Sequence, residues 1–131
     1  MRIGYFLSTE EYAPDQLVEQ ARAAERAGFE GLWISDHFHP WNNEQGNSPF
    51  VWSVIGAIAQ ATKRLRVGTA VTCPTVRVHP AIVAEAAATA AAMMPGRFFL
   101  GVGTGENLNE HIVGQGWPET EIRQARLVEA I

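Results

Sequence analysis

Glu30-Gly31-Leu32-Trp33-Ile34-Ser35 is an apolar run too short for a helix, and it passes directly into Asp36-His37-Phe38-His39-Pro40-Trp41. A strand covered on both faces reads as a near-continuous apolar stretch of this kind. Three further runs share its character: Arg2–Leu7, Leu65–Val71 and Arg97–Val102. A helical segment follows each run, and proline marks its start. Pro14 opens the first, where Leu17, Val18, Ala21 and Ala24 recur at helical spacing until Gly28. Ser48-Pro49 reads as a cap and a first-turn proline before Phe50–Ala61. His79-Pro80 opens an alanine-rich helix ending at Met94, with Pro95-Gly96 as the stop. Trp117-Pro118 opens a fourth, carrying Ile122, Ala125, Leu127 and Val128, and the chain ends inside it.

Four strand-then-helix units in series predict an α/β fold with parallel strands and right-handed crossovers. Spacing alone fits two architectures, a small doubly wound sheet or half of an eight-stranded barrel. In both, ligands bind beyond the carboxyl ends of the strands, so the residues there carry the functional information.

The chain has 131 residues, enough for one domain, with 47% hydrophobic and 18% charged residues. The net charge of −4 and a single lysine, Lys63, argue against a nucleic-acid partner. The longest apolar stretch, Ala81–Met94, is too short to span a membrane and is interrupted by Glu85 and Thr89. The apolar run at the N-terminus is too short for a signal-peptide core, so a cytoplasmic location is expected. Cys73 is the one cysteine, which excludes an internal disulfide.

At the end of the second run, a carboxylate, two imidazoles and an indole fall within seven residues. His37 suits proton transfer, because imidazole titrates near neutrality unassisted. Trp41 could wall a pocket with its apolar face. The alternative is a surface loop in which Asp36 caps a turn. The fourth run ends in Gly101-Val102-Gly103-Thr104-Gly105-Glu106, which is similar to a phosphate-cradling turn. Its spacing is not the dinucleotide fingerprint, and it follows the fourth strand rather than the first. Glu106 must face solvent or a ligand. His79, before Pro80, reads as structural, and His111 receives no role. Two histidines at i and i+2 on a loop have no geometric support as metal ligands, and no metal is expected.

Three separated motifs carry a resemblance. Ser35-Asp36-His37-Phe38-His39-Pro40-Trp41, then Thr72-Cys73-Pro74-Thr75 with Arg77 and His79-Pro80, then Pro95-Gly96-Arg97 through Asn109-Glu110, together resemble the coenzyme-F420-dependent glucose-6-phosphate dehydrogenases of the luciferase-like superfamily. The resemblance covers essentially the whole chain and implies the N-terminal half of a (β/α)₈ barrel, one partial domain over residues 1–131. It implies hydride transfer between an alcohol, which in that family can be a sugar phosphate, and C5 of the deazaflavin. Carried onto this chain, it makes Asp36 a hydrogen-bond partner of the deazaflavin ring and His37 the base for the substrate hydroxyl. It sets Trp41 beside the reacting carbon, Glu106 as proton donor to the ring, and Asn109 in the same pocket. It further implies a non-prolyl cis peptide at Ala70–Val71 behind the ring. Cys73, where a threonine is common, would lie close to the coenzyme.

Two readings compete with this one. A sister possibility is an FMN-dependent monooxygenase of the same superfamily; the other is a non-catalytic fragment or partner-binding half barrel. As half of a barrel, the chain has open sheet edges, which predict pairing with a second copy or with a C-terminal half.

Overall fold

Leu32 and Ile34 are fully buried while Trp33 between them is 54% exposed. Successive strand residues face opposite sides, so helices cover one face of this strand and leave the other open. The same alternation runs through the sheet and decides between the two architectures. The computed structural model describes residues 3–131; the expected strand start at Arg2 lies outside the described residues.

The strands are β1 (Gly4–Leu7), β2 (Gly31–Ile34), β3 (Arg66–Thr69) and β4 (Phe98–Phe99). They are all parallel and lie in the order β1-β2-β3-β4. Helix α1 (Pro14–Arg26) packs on α2 (Val51–Ala61), and α2 on α3 (Pro80–Met93). Leu17, Ala21, Val54, Ile55, Ile58 and Met94 join Leu7, Leu32, Ile34 and Val67 in one buried cluster. A doubly wound sheet reverses its strand order and covers both faces. Here the order is sequential and the helices stack on one side, as the wall of a barrel requires.

Register locates the bare face. Tyr5, Leu32, Val67 and Phe98 form one row across the sheet, and Phe6, Trp33, Gly68 and Phe99 the next. The first row points to the helices. The second points away from them, and there Phe6 is 50% exposed. Gly68 is required in that row: a Cβ there would come within 2.4 Å of the Phe99 ring and 2.3 Å of its carbonyl oxygen.

Several expected boundaries move, each for a local reason. The third run was expected to reach Val71, but its ladder ends at Thr69. The peptide Ala70–Val71 is cis, as the resemblance implies. Pairing resumes at a single bridge between Thr72 and Val102, so the fourth run keeps contact beyond its two ladder residues. Ser48 does not cap α2; its hydroxyl donates to the His37 carbonyl at 2.7 Å, and Phe50 occupies the cap position without a side-chain bond. His79 is structural as expected, accepting the Ala81 N–H at the start of α3. The segment after β4 forms α4 (Asn107–Glu110) and a 3₁₀ turn (His111–Val113). The final helix, α5, begins at Thr120 rather than at Pro118 and runs to Ala130. No helix among the described residues is long and apolar enough to cross a membrane.

Candidate active site

The carboxyl ends of all four strands open into one cleft of about 720 Å³. Its lining includes Glu10 from beyond β1, Asp36, His37 and Trp41 from beyond β2, and Ala70, Val71 and Cys73 from beyond β3. Beyond β4 it includes Glu106 and Asn109. Every site residue singled out in the sequence therefore borders the same space.

His37 sits at its centre. Its Nδ1 contacts the Glu10 carboxylate, and its Nε2 lies 3.7 Å from Glu106 Oε1. The Trp41 ring stands edge-on to the imidazole, centroids 5.1 Å apart. Burial alone would raise the Glu10 carboxyl, but hydrogen bonds from His37, Ser8, its own main chain and Ser35 hold it down at about 2. A carboxylate only accepts, so His37 Nδ1 carries the proton and Nε2 turns to the cleft. Burial alone would lower the imidazole. The Glu10 hydrogen bond and the charges of Glu10, Glu106 and Asp36 outweigh it, raising His37 above its usual value of 6.5.

The loop bearing His37 is tied at four successive residues. Asp36 accepts from Thr72 Oγ1 at 2.7 Å and pairs with Arg77 Nη2 at 2.8 Å. The His37 carbonyl accepts from Ser48. Asn109 Oδ1 accepts both the Phe38 and the His39 N–H, at 2.8 and 2.9 Å, while its amide nitrogen donates to Glu106 at 3.4 Å. Asn109 is fully buried and links the two groups the sequence marked for proton transfer. Asp36 is equally occupied, with both carboxylate oxygens already bonded to protein.

The glycine run forms a packing seam against the extension of β3. A Cβ at Gly101 would meet Thr69 O at 2.2 Å, one at Gly103 would meet Val71 Cγ2 at 2.6 Å, and one at Gly105 would meet Cys73 Sγ at 2.7 Å. Alternate glycines face alternate residues of the third strand's extension, which the bridge at Thr72 and Val102 registers. Gly105 also has φ +78°, which favours glycine. Cys73 is buried against this seam, and burial pushes its thiol up.

Two residues with strong local chemistry were not singled out in the sequence. Glu10 follows the first strand and carries no motif. Its position three residues beyond Leu7, at the same end of the sheet as Asp36 and Glu106, is the signal that could have found it. Glu110 was quoted within a motif but given no role. It is buried, accepts the Arg77 main-chain N–H at 2.7 Å, and is raised by burial, only partly offset by Arg77. Among the described residues, no three His, Cys, Asp or Glu are grouped to hold a metal ion.

All of residues 1–131 match the luciferase-like monooxygenase family. An F420-dependent glucose-6-phosphate dehydrogenase from Mycobacterium avium is 50% identical over 133 residues, covering 100% of this chain and 40% of that protein. One of the same description from Segniliparus rotundus is 48% identical over 132 residues, covering 100% and 39%. A solved F420-dependent secondary alcohol dehydrogenase, in complex with an F420-acetone adduct, superposes with a TM-score of 0.95. It is 46% identical, with 98% of this chain and 39% of that one covered. The chain thus spans about two fifths of the length of these relatives.

Proposed function

The chain belongs to the luciferase-like monooxygenase family, and we propose that it forms the proton-transfer side of a deazaflavin-dependent oxidoreductase acting on small-molecule alcohols. Coenzyme F420, when bound, supplies the carbon that accepts or returns a hydride. The observation that carries the reading is His37 held between two carboxylates at the floor of the cleft.

The cleft suits a flat ring. Its volume lies in the range of small-molecule sites. Ala70 and Val71 form a low wall on which Val71 is 45% exposed, with Phe6 also lining the space. Trp41, 54% exposed, is the second large apolar surface at the mouth.

Oxidising an alcohol requires a base for the O–H proton as hydride leaves the carbon. Glu10 fixes the His37 tautomer with Nδ1 protonated, so neutral His37 presents the Nε2 lone pair to a substrate hydroxyl. The same carboxylate stabilises the imidazolium once the proton has moved, as the acid of a serine-protease triad does for its histidine. In the reverse direction, protonated His37 returns the proton to a carbonyl oxygen. Glu106, 3.7 Å from Nε2 and 45% exposed, borders both the cleft and solvent. Among the described residues, the lining supplies carboxylates, amides and apolar groups but no lysine or arginine. This supports a role at the carbinol end of the substrate rather than at any phosphate it carries.

Titrating F420 and FMN separately, by their fluorescence, tests the proposal in a protein carrying this chain. The expected result is tighter binding of the deazaflavin, with alcohol-dependent bleaching. Tighter FMN binding with oxygen consumption would instead assign monooxygenase chemistry, and no binding of either would leave a non-catalytic scaffold.

A further inference from the structure

Arg77 is buried beside the cleft and has no part in the proton-transfer scheme. Its side chain is 8% exposed. Nη2 donates to Asp36 Oδ1 at 2.8 Å and reaches the Asp36 carbonyl at 3.4 Å. Its main-chain N–H donates to Glu110 Oε2 at 2.7 Å, and its Nε lies 3.7 Å from Glu110 Oε1, beyond hydrogen-bond range. One residue of the β3–α3 loop thus joins the loop after β2 to α4 after β4. Thr72 completes the tie by donating to the other Asp36 oxygen.

We infer that Arg77 is the positioning residue of this site: it sets the depth of the His37 loop and balances the buried carboxylates of Asp36 and Glu110, so that His37 answers chiefly to Glu10 and Glu106. The charged groups facing His37 are Glu10 from beyond β1, Glu106 from beyond β4 and the adjacent Asp36. Arg77 offsets part of the last of these. A guanidinium suits the place because its planar fork can serve a carboxylate and a carbonyl together, whereas an ammonium is a point charge. Without it, Asp36 would keep Thr72 as its only side-chain partner and would add a full negative charge beside the imidazole. A negative neighbour favours the charged form of histidine.

The inference rests on His37 being the titrating group of the site, but not on which coenzyme binds. It is therefore tested on the unliganded chain. Carbethoxylation of His37 by diethyl pyrocarbonate proceeds through neutral imidazole, and its rate against pH, read by peptide mass spectrometry, gives the His37 midpoint in any oligomeric state. Arg77→Met is expected to raise that midpoint by roughly 0.5 to 1 pH unit. Arg77→Lys should move it less, in the same direction. The paired variant Asp36→Asn with Arg77→Met should bring it back towards the parent value. Should Arg77→Met fail to fold, Arg77→Lys and the charge-neutral pair are read in its place. An unchanged His37 midpoint in a folded Arg77 variant, with only the melting temperature lowered, would make Arg77 a structural tie and overturn the inference. Failure to bind a deazaflavin would remove the proposed activity and leave this result standing.

Discussion

At the scale of single residues, the site turns on how far a carboxylate can shift one imidazole. His37 is raised above 6.5 by Glu10, Glu106 and Asp36 against the effect of burial, and only its neutral form accepts a proton. Alcohol oxidation should therefore climb with pH through a midpoint above 6.5. Glu10→Gln should move that midpoint down, which a kcat/KM profile over pH would show; an unmoved profile would deny Glu10 its role. Glu10, held at about 2, stays ionised throughout, and its stabilising effect is lost only as pH falls from about 4.5 towards 2. His37→Ala should lower turnover by about 10²–10⁴-fold with coenzyme affinity nearly kept. Unchanged turnover would shift proton transfer to Glu106 or water. His37, Trp41 and Glu106 were legible in the sequence because polar residues crowd a strand's end. Glu10 was not, because Ser8 and Thr9 separate it from β1 and only folding brings it to Nδ1.

At the scale of elements, the sequence and the structure agree on the repeated unit, and the structure adds a second use for glycine. Gly-x-Gly-x-Gly after a strand reads as a ligand loop because glycine permits close backbone approach. The close approach that the structure shows is to the extension of β3. Nothing in the spacing distinguishes these, since both demand the absence of Cβ. Gly101→Ala should cost about 1–3 kcal/mol, because the new methyl meets the main-chain Thr69 oxygen, which no side-chain rotation can relieve. Gly116→Ala, which meets nothing within 4 Å, should stay within about 0.5 kcal/mol of the parent. Denaturant midpoints of the two variants would check the contrast; equal midpoints would mean the seam is looser than described. Ser48 teaches the same lesson. A serine before proline is a sound cap signal, yet a competing acceptor, the His37 carbonyl, claims its hydroxyl.

At the scale of the whole chain, the decisive feature is the asymmetry of the sheet. One face packs under α1, α2 and α3, while the other carries Phe6 and Trp33, 50% and 54% exposed, beside the Phe99 ring. This row is interior in an eight-stranded barrel, where layers of side chains from alternate strands fill the centre. The two outer strands also keep unpaired edges, and a parallel edge with apolar flanks invites another chain. Fully covering a large side chain contributes roughly 1.5–3 kcal/mol, so the exposed halves of Phe6 and Trp33 together offer about 1.5–3 kcal/mol. That is a sizeable fraction of the 5–15 kcal/mol by which a domain is usually stable. The 131-residue chain, purified alone, should therefore self-associate. Sedimentation would reveal species heavier than a monomer, and replacing Phe6 and Trp33 by serine and glutamine should shift them towards the monomer without melting the helices. A stable monomer with cooperative unfolding would mean that the bare face is tolerated in water. Association left unchanged by the same pair of substitutions would instead place the contact at the strand edges.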